Sequence, residues 1–210
     1  MTAHCAPLVC CHCWCVQEKK EKLTELLTLA EASAKIEMSP ALIDVIGSLK
    51  KCLKDSNVVI VGDALKCICA LAKGTRRAFY NYARQFYPTL IQLLKEKKSN
   101  VSIPLTQCLD LLAELGVVEI PEVLDSLVEG LGDKVSKVRI EVCQLLQRWL
   151  ALPRINDKAI KDAVKPLGEA LYKVLNDPEK QVRDIGTEVF ADFVAVRQHK
   201  PIQDWGAMAA

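Results

Sequence analysis

Apolar positions along most of the chain recur at helical intervals, not in the alternation of a β-strand. In one segment Val61, Leu65, Ile68 and Leu71 follow one another at steps of three or four residues. This spacing places them on one face of an α-helix, where they can pack against a neighbour. Comparable stripes recur three more times, near residues 23–30, 138–149 and 182–193. The pattern predicts an all-α protein.

Four further helices are predicted, one before each of the short polar turns along the chain. These first helices are expected at about 40–53, 84–96, 120–131 and 158–175, and terminal helices at 17–33 and 179–197. Helices joined by short turns pack as antiparallel pairs. The chain is therefore predicted to be a succession of helical hairpins.

The turns between paired helices repeat in sequence. They read KDSNVV at 54–59, EKKSNVSI at 96–103, GDKVSKVRI at 132–140 and NDPEKQVRDI at 176–185. Each places polar residues ahead of a valine, and the four valines, Val58, Val101, Val138 and Val182, lie 43, 37 and 44 residues apart. This spacing falls near the period of HEAT and armadillo repeats, about 40–47 residues. It predicts an α-solenoid of about five HEAT-type hairpins.

The terminal repeats are expected to be incomplete. The first has a second helix but no recognisable first helix, and the chain after residue 197 is too short for another pair. Residues 1–15 are predicted to be a cysteine-rich leader that is unstructured or non-native, 16–200 the repeat domain, and 201–210 a tail. These limits suggest a fragment or truncated product.

Residues that favour helix ends occur near the predicted boundaries. Small polar residues are the preferred N-caps, and proline suits the first helical position. Glycine suits the left-handed residue that follows many helices. The predicted N-caps are Ser56, Ser99, Ser136 and Asp177, which precedes Pro178, and the predicted terminators are Gly74 and Gly116.

Composition and charge exclude several classes of function. Aromatic residues make up only 5% of the chain, so the core is expected to be aliphatic. The net charge is +2, whereas a general nucleic-acid-binding protein usually carries a strong basic excess. No apolar run is long enough for a transmembrane helix. We therefore predict a protein that binds neither nucleic acid nor membrane. Of the ten cysteines, those outside the first 15 residues lie singly or as a close pair in apolar helical patterns, which predicts a cytosolic, reduced protein.

Catalytic chemistry has little support in the sequence. The three histidines, His4, His12 and His199, lie near the ends of the chain, and no metalloprotease, phosphate-loop or dinucleotide motif occurs. The segment CCHCWC at 10–15 could bind zinc or copper, but no second ligand pair follows it. The prediction is a non-enzymatic protein without a cofactor, resident metal or small-molecule substrate.

The segment LAKGTRRAFYNYARQFYPTLIQLLKEKKSNV (71–101) resembles the TOG domains of microtubule polymerases. It supplies Gly74, Arg76, Phe79, a Tyr82-Ala83 pair, a proline and a Lys-Glu-Lys-Lys turn in the order of that family. The similarity extends less specifically from about residue 16 to residue 200. It is greatest to the second TOG domain of the family that includes ch-TOG, with the CLASP type as a close variant.

The resemblance implies a flat paddle of HEAT repeats whose turns bind the α/β-tubulin heterodimer and microtubule plus ends. It further implies a place in the cytoplasm and cytoskeleton, on microtubules, spindle or centrosome, and a role in microtubule growth. The family's first turn carries a tryptophan, and the alignment places Val16 there, so weaker binding is expected. The expected tubulin-binding residues are Val16, Asn57, Val58, Lys97, Lys98, Lys134, Lys137, Lys180 and Arg183, with Lys54 beside them on the same edge.

Two of the turn residues could have a structural role instead of a role in binding tubulin. Val58 could be an inward-facing valine, because valine is often buried. Arg139 is expected to pair with an aspartate of an adjoining turn, either Asp133 or Asp177. The alternative to tubulin binding is a generic HEAT scaffold that binds another protein through its helix faces.

Overall fold

The computed structural model describes residues 16–197 and divides into two compact units, the first ending at Val118 and the second beginning at Glu119. The first unit holds α1 (Val16–Ala32), α2 (Pro40–Cys52), α3 (Val58–Thr75), α4 (Tyr80–Leu93) and α5 (Ser99–Glu114), with a 3-10 helix at Arg76–Phe79. The second holds α6 (Leu124–Leu131), α7 (Ser136–Leu150), α8 (Asp157–Ile160), α9 (Val164–Leu175) and α10 (Lys180–Arg197), with 3-10 helices at Ile120–Glu122 and Lys161–Ala163.

In the first unit, α3 packs between α1 and α5 and forms the centre of the core. Helix α2 packs on α3 and α4 packs on α5, which completes two hairpins. Ile60, Leu65 and Ile68 of α3 have no accessible surface. Burying an aliphatic side chain of this size contributes about 1.5–3 kcal/mol relative to leaving it exposed. The striped faces predicted from sequence are therefore the faces that hold this unit together.

The second unit repeats this arrangement. Helix α10 packs on α7 and on its hairpin partner α9, while α6 contacts α7 and α9. The large side chains at its centre are Trp149 and Phe193, which are 1% and 0% exposed. No helix in residues 16–197 combines the length and the apolar character needed to cross a lipid bilayer.

The all-α architecture of stacked hairpins is confirmed, with shifted bounds for some elements. Helix α4 begins at Tyr80, not at residue 84, because the 3-10 turn after α3 continues directly into it. The predicted helix 158–175 is divided into α8, a 3-10 turn and α9. The predicted leader, residues 1–15, and the tail, residues 201–210, lie outside the described residues.

The predicted N-caps are wrong by one or two residues. Asn57, not Ser56, caps α3: its side chain accepts a hydrogen bond of 3.0 Å from the Val59 N–H. Ser99 and Ser136 are the first residues of α5 and α7. Asp177 lies three residues before α10, which begins at Lys180, and Pro178 also precedes the helix. An acidic residue lies three positions before the helix in each of the four turns.

One of the two predicted terminating glycines is wrong. Gly116 has a φ of 60° and ends α5 as expected, but Gly74 lies inside α3. A Cβ on Gly74 would lie 2.5 Å from the Ile36 side chain, and its carbonyl accepts the Ile36 N–H at 3.0 Å. Close approach of the Ile36 side chain, and not a left-handed turn, favours glycine there. The positive φ, 50°, belongs to Arg76.

The repeat register also corrects the reading of Val58. Five positions after the acidic residue of each turn, Ile60, Val101, Val138 and Val182 are all 0% exposed. Val58 lies two residues before the first of these and is half-buried. The inward-facing residue of the first turn is therefore Ile60.

Candidate functional site

Three of the four turns between paired helices are built in one way. The side-chain Oδ1 of Asp55, Asp133 and Asp177 accepts a hydrogen bond of 2.9 Å from the backbone N–H two residues later. Aspartate stabilises turns in this way because its short side chain imitates the backbone. Glu96 holds the corresponding position in the turn between α4 and α5. The three aspartates thus act on the backbone of their own turns and fix how the neighbouring lysines are presented.

The two turns of the first unit lie side by side. Lys19 in α1 forms an ion pair of 2.7 Å with Asp55, which attaches the start of α1 to the turn before α3. A Cβ on Gly62 would lie 2.2 Å from the Asn100 carbonyl oxygen, so α3 and α5 touch backbone to backbone near their first residues. The start of α1, the turn at 54–57 and the turn at 95–98 therefore form one edge.

Arg139 ties together the two turns of the second unit. Its guanidinium forms an ion pair with Asp177, in which Nη2 donates to Oδ1 at 2.9 Å and Nε lies 2.7 Å from Oδ2, and Nη1 donates to the Asp133 carbonyl at 2.7 Å. The predicted pairing of Arg139 with an adjoining turn is confirmed, and Asp177 is the partner. Such a two-point contact fixes both distance and orientation. The turns at 132–135 and 176–179 therefore share an edge of this unit.

Most of the predicted cationic residues are presented to solvent. Lys97 and Lys98 are exposed side by side before α5. Lys137 and Arg183 are half-buried, and Arg183 Nη1 donates to the carbonyls of Asp177 and Pro178 at 2.7 and 3.0 Å. The remaining cations of the two edges are also exposed, namely Lys54, Lys134 and Lys180.

The uncharged candidates take different positions. Val16 begins α1 and is 51% exposed. Asn57 and Val58 are half-buried at the start of α3, with Asn57 engaged as its cap. Two exposed valines beside these turns escaped the sequence analysis, Val59 at 37% and Val135 at 40%. Both could have been identified from the sequence as apolar residues in or beside a polar turn.

The comparisons with known proteins cover nearly the whole described chain. The description of the matching family is "XMAP215/Dis1/CLASP, TOG domain", and the match spans residues 20–204. The chain belongs to this TOG-domain family. Protein mini spindles of Drosophila melanogaster is 36% identical over 160 residues, which is 75% of this chain and 8% of that protein. Protein MOR1 of Arabidopsis thaliana is 29% identical over 89% of this chain and 9% of its own length. The TOG domain here thus spans less than a tenth of either relative.

Solved structures agree with the family assignment. A chain from work on microtubule plus-end tracking by XMAP215, CLIP-170 and EB1 is 33% identical, with a TM-score of 0.75 over 90% of this TOG domain and 80% of that chain. The N-terminal domain of MAST/Orbit shares the fold at 18% identity, with a TM-score of 0.71 over 89% of this domain and 81% of that one. The HEAT-type hairpin class is confirmed, whereas correspondence to the second TOG domain stays a prediction.

Two of the described cysteines of this TOG domain are packing groups. Cys67 and Cys143 are fully buried, and burial raises the pKa of each thiol to about 12. The Cys67 thiol donates to the Leu23 carbonyl at 3.3 Å. Within residues 16–197 no three potential ligands gather as they would around a metal ion. The alternative metal site at residues 10–15 lies outside the described residues and stays untested.

Two turn carboxyls have lowered pKa values. The hydrogen bond from Lys19 is the main cause at Asp55, helped by the Asn57 N–H. At Asp177 burial alone would raise the pKa, but the hydrogen bonds from Arg139 and the Glu179 N–H, with the charges of Arg139 and Arg183, together lower it. Both carboxylates are therefore more stable in the folded protein than in the unfolded chain.

These shifts predict a loss of stability in acid. A carboxyl with a folded pKa below its unfolded value of about 3.9 stabilises the fold above that pH, and this contribution disappears as pH falls through the folded pKa. Asp55→Asn should therefore lower the free energy of unfolding more at pH 6 than at pH 3. Urea unfolding of the wild type and the variant at both pH values measures this. An equal difference at the two pH values would contradict the role of the Asp55 charge.

Proposed function

We propose that this TOG domain binds the α/β-tubulin heterodimer through the exposed cations of its turns. The observation that carries the proposal is the arrangement of the turns: in each unit two turns lie on one edge and present lysines to solvent. Tubulin is acidic, so a basic edge would steer it into contact and speed association, with a strong dependence on salt. We propose that one domain binds one heterodimer.

The turn construction supports a binding role without any enzyme chemistry. Asp55, Asp133 and Asp177 hold the turn backbones, so the adjacent lysines can meet a partner without first ordering the loop. Preorganised groups lose less conformational entropy on binding. Val59 and Val135 offer exposed apolar surface beside the cations. We propose that these two valines pack on tubulin once the lysines have brought the proteins together.

In the whole protein the domain would act by concentrating subunits. A second tubulin-binding domain on the same chain would raise the effective concentration of tubulin near a growing microtubule. The domain alone would bind tubulin without promoting growth processively. Relatives named Centrosomal protein 224 of Dictyostelium discoideum and Spindle pole body component alp14 of Schizosaccharomyces pombe support a place on the cytoskeleton, spindle or centrosome.

Comigration with tubulin tests the proposed function. Purified chain mixed with equimolar tubulin at about 10 µM and 50 mM salt should elute with it from a gel-filtration column, and raising the salt to 500 mM should separate the two. Circular dichroism of the same sample checks that the protein is helical. Separate elution of a folded sample at low salt would refute tubulin binding at this concentration.

A further inference from the structure

The charge of the first unit is concentrated in one stretch of sequence. Between Asp63 and Glu96 there is no acidic residue, while six lysines and arginines occur: Lys66, Lys73, Arg76, Arg77, Arg84 and Lys95. The whole chain has a net charge of only +2. This stretch is therefore a strongly positive region inside a nearly balanced protein, and the turn lysines account for only its final residue.

Four of these cations form a separate surface, the basic corner, consisting of Lys73, Arg76, Arg77 and Arg84. All four are exposed, and they follow the chain from the last turn of α3 into α4. Helix α3 has 18 residues, so at 1.5 Å per residue the corner lies about 25 Å from the turn at 54–57. It is therefore remote from the edge proposed to bind tubulin.

One arginine of the corner, Arg84, is held in place by an aromatic contact. The Arg84 guanidinium lies 5.7 Å from the centre of the Tyr80 ring, and its Nη1 lies 3.4 Å from the Tyr80 hydroxyl. Contact with an aromatic face restricts a long cationic side chain while leaving its donors available. The Arg84 side chain is thus more restricted than a freely moving surface cation.

Arg76 also has a strained backbone. Its φ of 50° and ψ of −122° lie where non-glycine residues are rare, and glycine would adopt them at little cost. The residue nevertheless ends α3, with its N–H bonded to the Ala72 carbonyl. Strain retained at an exposed cation indicates that the side chain has a use.

An open cavity of about 570 Å³ adjoins this position. Gly74, Thr75, Arg76 and Ala78 line one side and residues 34–38 the other. Glu37 also lines it and lies 3.7 Å from Lys35, which neutralises it in part. The cavity offers room beside Arg76 for a chain that lies across the corner.

We propose that the basic corner binds an acidic polypeptide segment, a run of glutamates or aspartates in extended form. The four cations are spread over 12 residues, from α3 through the 3-10 helix into α4, which suits several carboxylates in a row better than a single phosphate. Arginine pairs with a carboxylate through two parallel hydrogen bonds. The exposed faces around Tyr80 and the cavity accommodate the backbone of the segment. This site is independent of the turns proposed to bind tubulin.

A labelled deca-glutamate peptide tests the site by fluorescence anisotropy at 50 mM salt. The double variant Arg77→Glu/Arg84→Glu should raise the Kd of the peptide at least about tenfold. Lys97→Glu/Lys98→Glu changes the net charge equally at the far edge and should leave the Kd within about twofold. An unlabelled deca-uridine strand serves as a phosphate-bearing competitor and should displace the peptide only weakly.

Three results would overturn the proposal. They are no peptide binding by the wild type, equal losses of affinity in the two charge-reversal variants, and stronger binding of the oligonucleotide through the same arginines.

A further variant, Arg76→Gly, removes the charge and also relieves the backbone strain at this position. It should weaken peptide binding while raising Tm by about 2–4 °C, so a loss of affinity cannot be ascribed to unfolding. Unchanged peptide affinity in Arg76→Gly would also count against the site.

Discussion

Gly62→Ala is expected to lower the free energy of unfolding by about 3 kcal/mol, the upper part of the range for overpacking a close contact. The added Cβ would lie 2.2 Å from the Asn100 carbonyl oxygen. That atom belongs to the backbone of α5, so no side-chain rotation can relieve the clash. Helices α3 and α5 would have to separate at the end that carries Lys97 and Lys98. The variant should therefore also bind tubulin more weakly.

Gly47→Ala is the matched control for this substitution. Gly47 is an exposed residue of α2, and a Cβ there has no neighbour within 4 Å. Alanine in an exposed helix should stabilise the protein by about 0.5–1 kcal/mol over glycine. Urea unfolding followed by circular dichroism compares the two variants. Equal stability of the two proteins would show that the α3–α5 contact is looser than described.

Asp177→Ala is expected to destabilise the protein by a comparable amount, about 3 kcal/mol, the lower end of the range for breaking a buried ion pair. The side chains of Arg139 and Asp177 are only 11% and 9% exposed. Removing the carboxylate leaves the guanidinium in a poorly hydrated place with only its bond to the Asp133 carbonyl. The Glu179 N–H also loses its acceptor.

Asp184→Ala provides the comparison for Asp177. Asp184 is an exposed acidic residue of α10, so its replacement changes the charge equally and should alter stability by less than about 0.5 kcal/mol. Thermal and urea unfolding of both variants measure the difference. If the two substitutions cost the same, the link between the last two turns contributes nothing measurable to the fold.

The fold was predictable because its two signals are local and repeated. Helical spacing of apolar residues gave the elements, and the recurring turns gave the pairing, so the hairpin order follows from sequence. Details that depend on contacts between elements were missed. Gly74 looked like a helix terminator because its contact with Ile36, 38 residues away, leaves no trace in the local pattern.

In the candidate site, too, local features were predictable and contacts between distant segments were not. The cations of the turns were predictable from their repetition, and so was the structural role of Arg139. Asp55 was overlooked, and Asp133 and Asp177 were predicted only as an ion-pair partner or a helix cap, because the turn role of an acidic residue leaves no distinctive local pattern. The Lys19–Asp55 pair could not be predicted, since α1 and the turn are brought together only by packing of α1 on α3.

The affinity of a charge-reversal double variant for tubulin tests the central claim most directly. We predict that Lys97→Glu/Lys98→Glu raises the Kd at least about tenfold at 50 mM salt, a loss of about 1.4 kcal/mol or more. Its binding should also depend less on salt than that of the wild type. Lys161→Glu/Lys165→Glu makes the same charge change at exposed positions of the 3-10 helix before α9 and of α9 itself, and should stay within twofold. Wild-type affinity in the Lys97/Lys98 variant, or equal losses in both, would contradict binding through the basic turns.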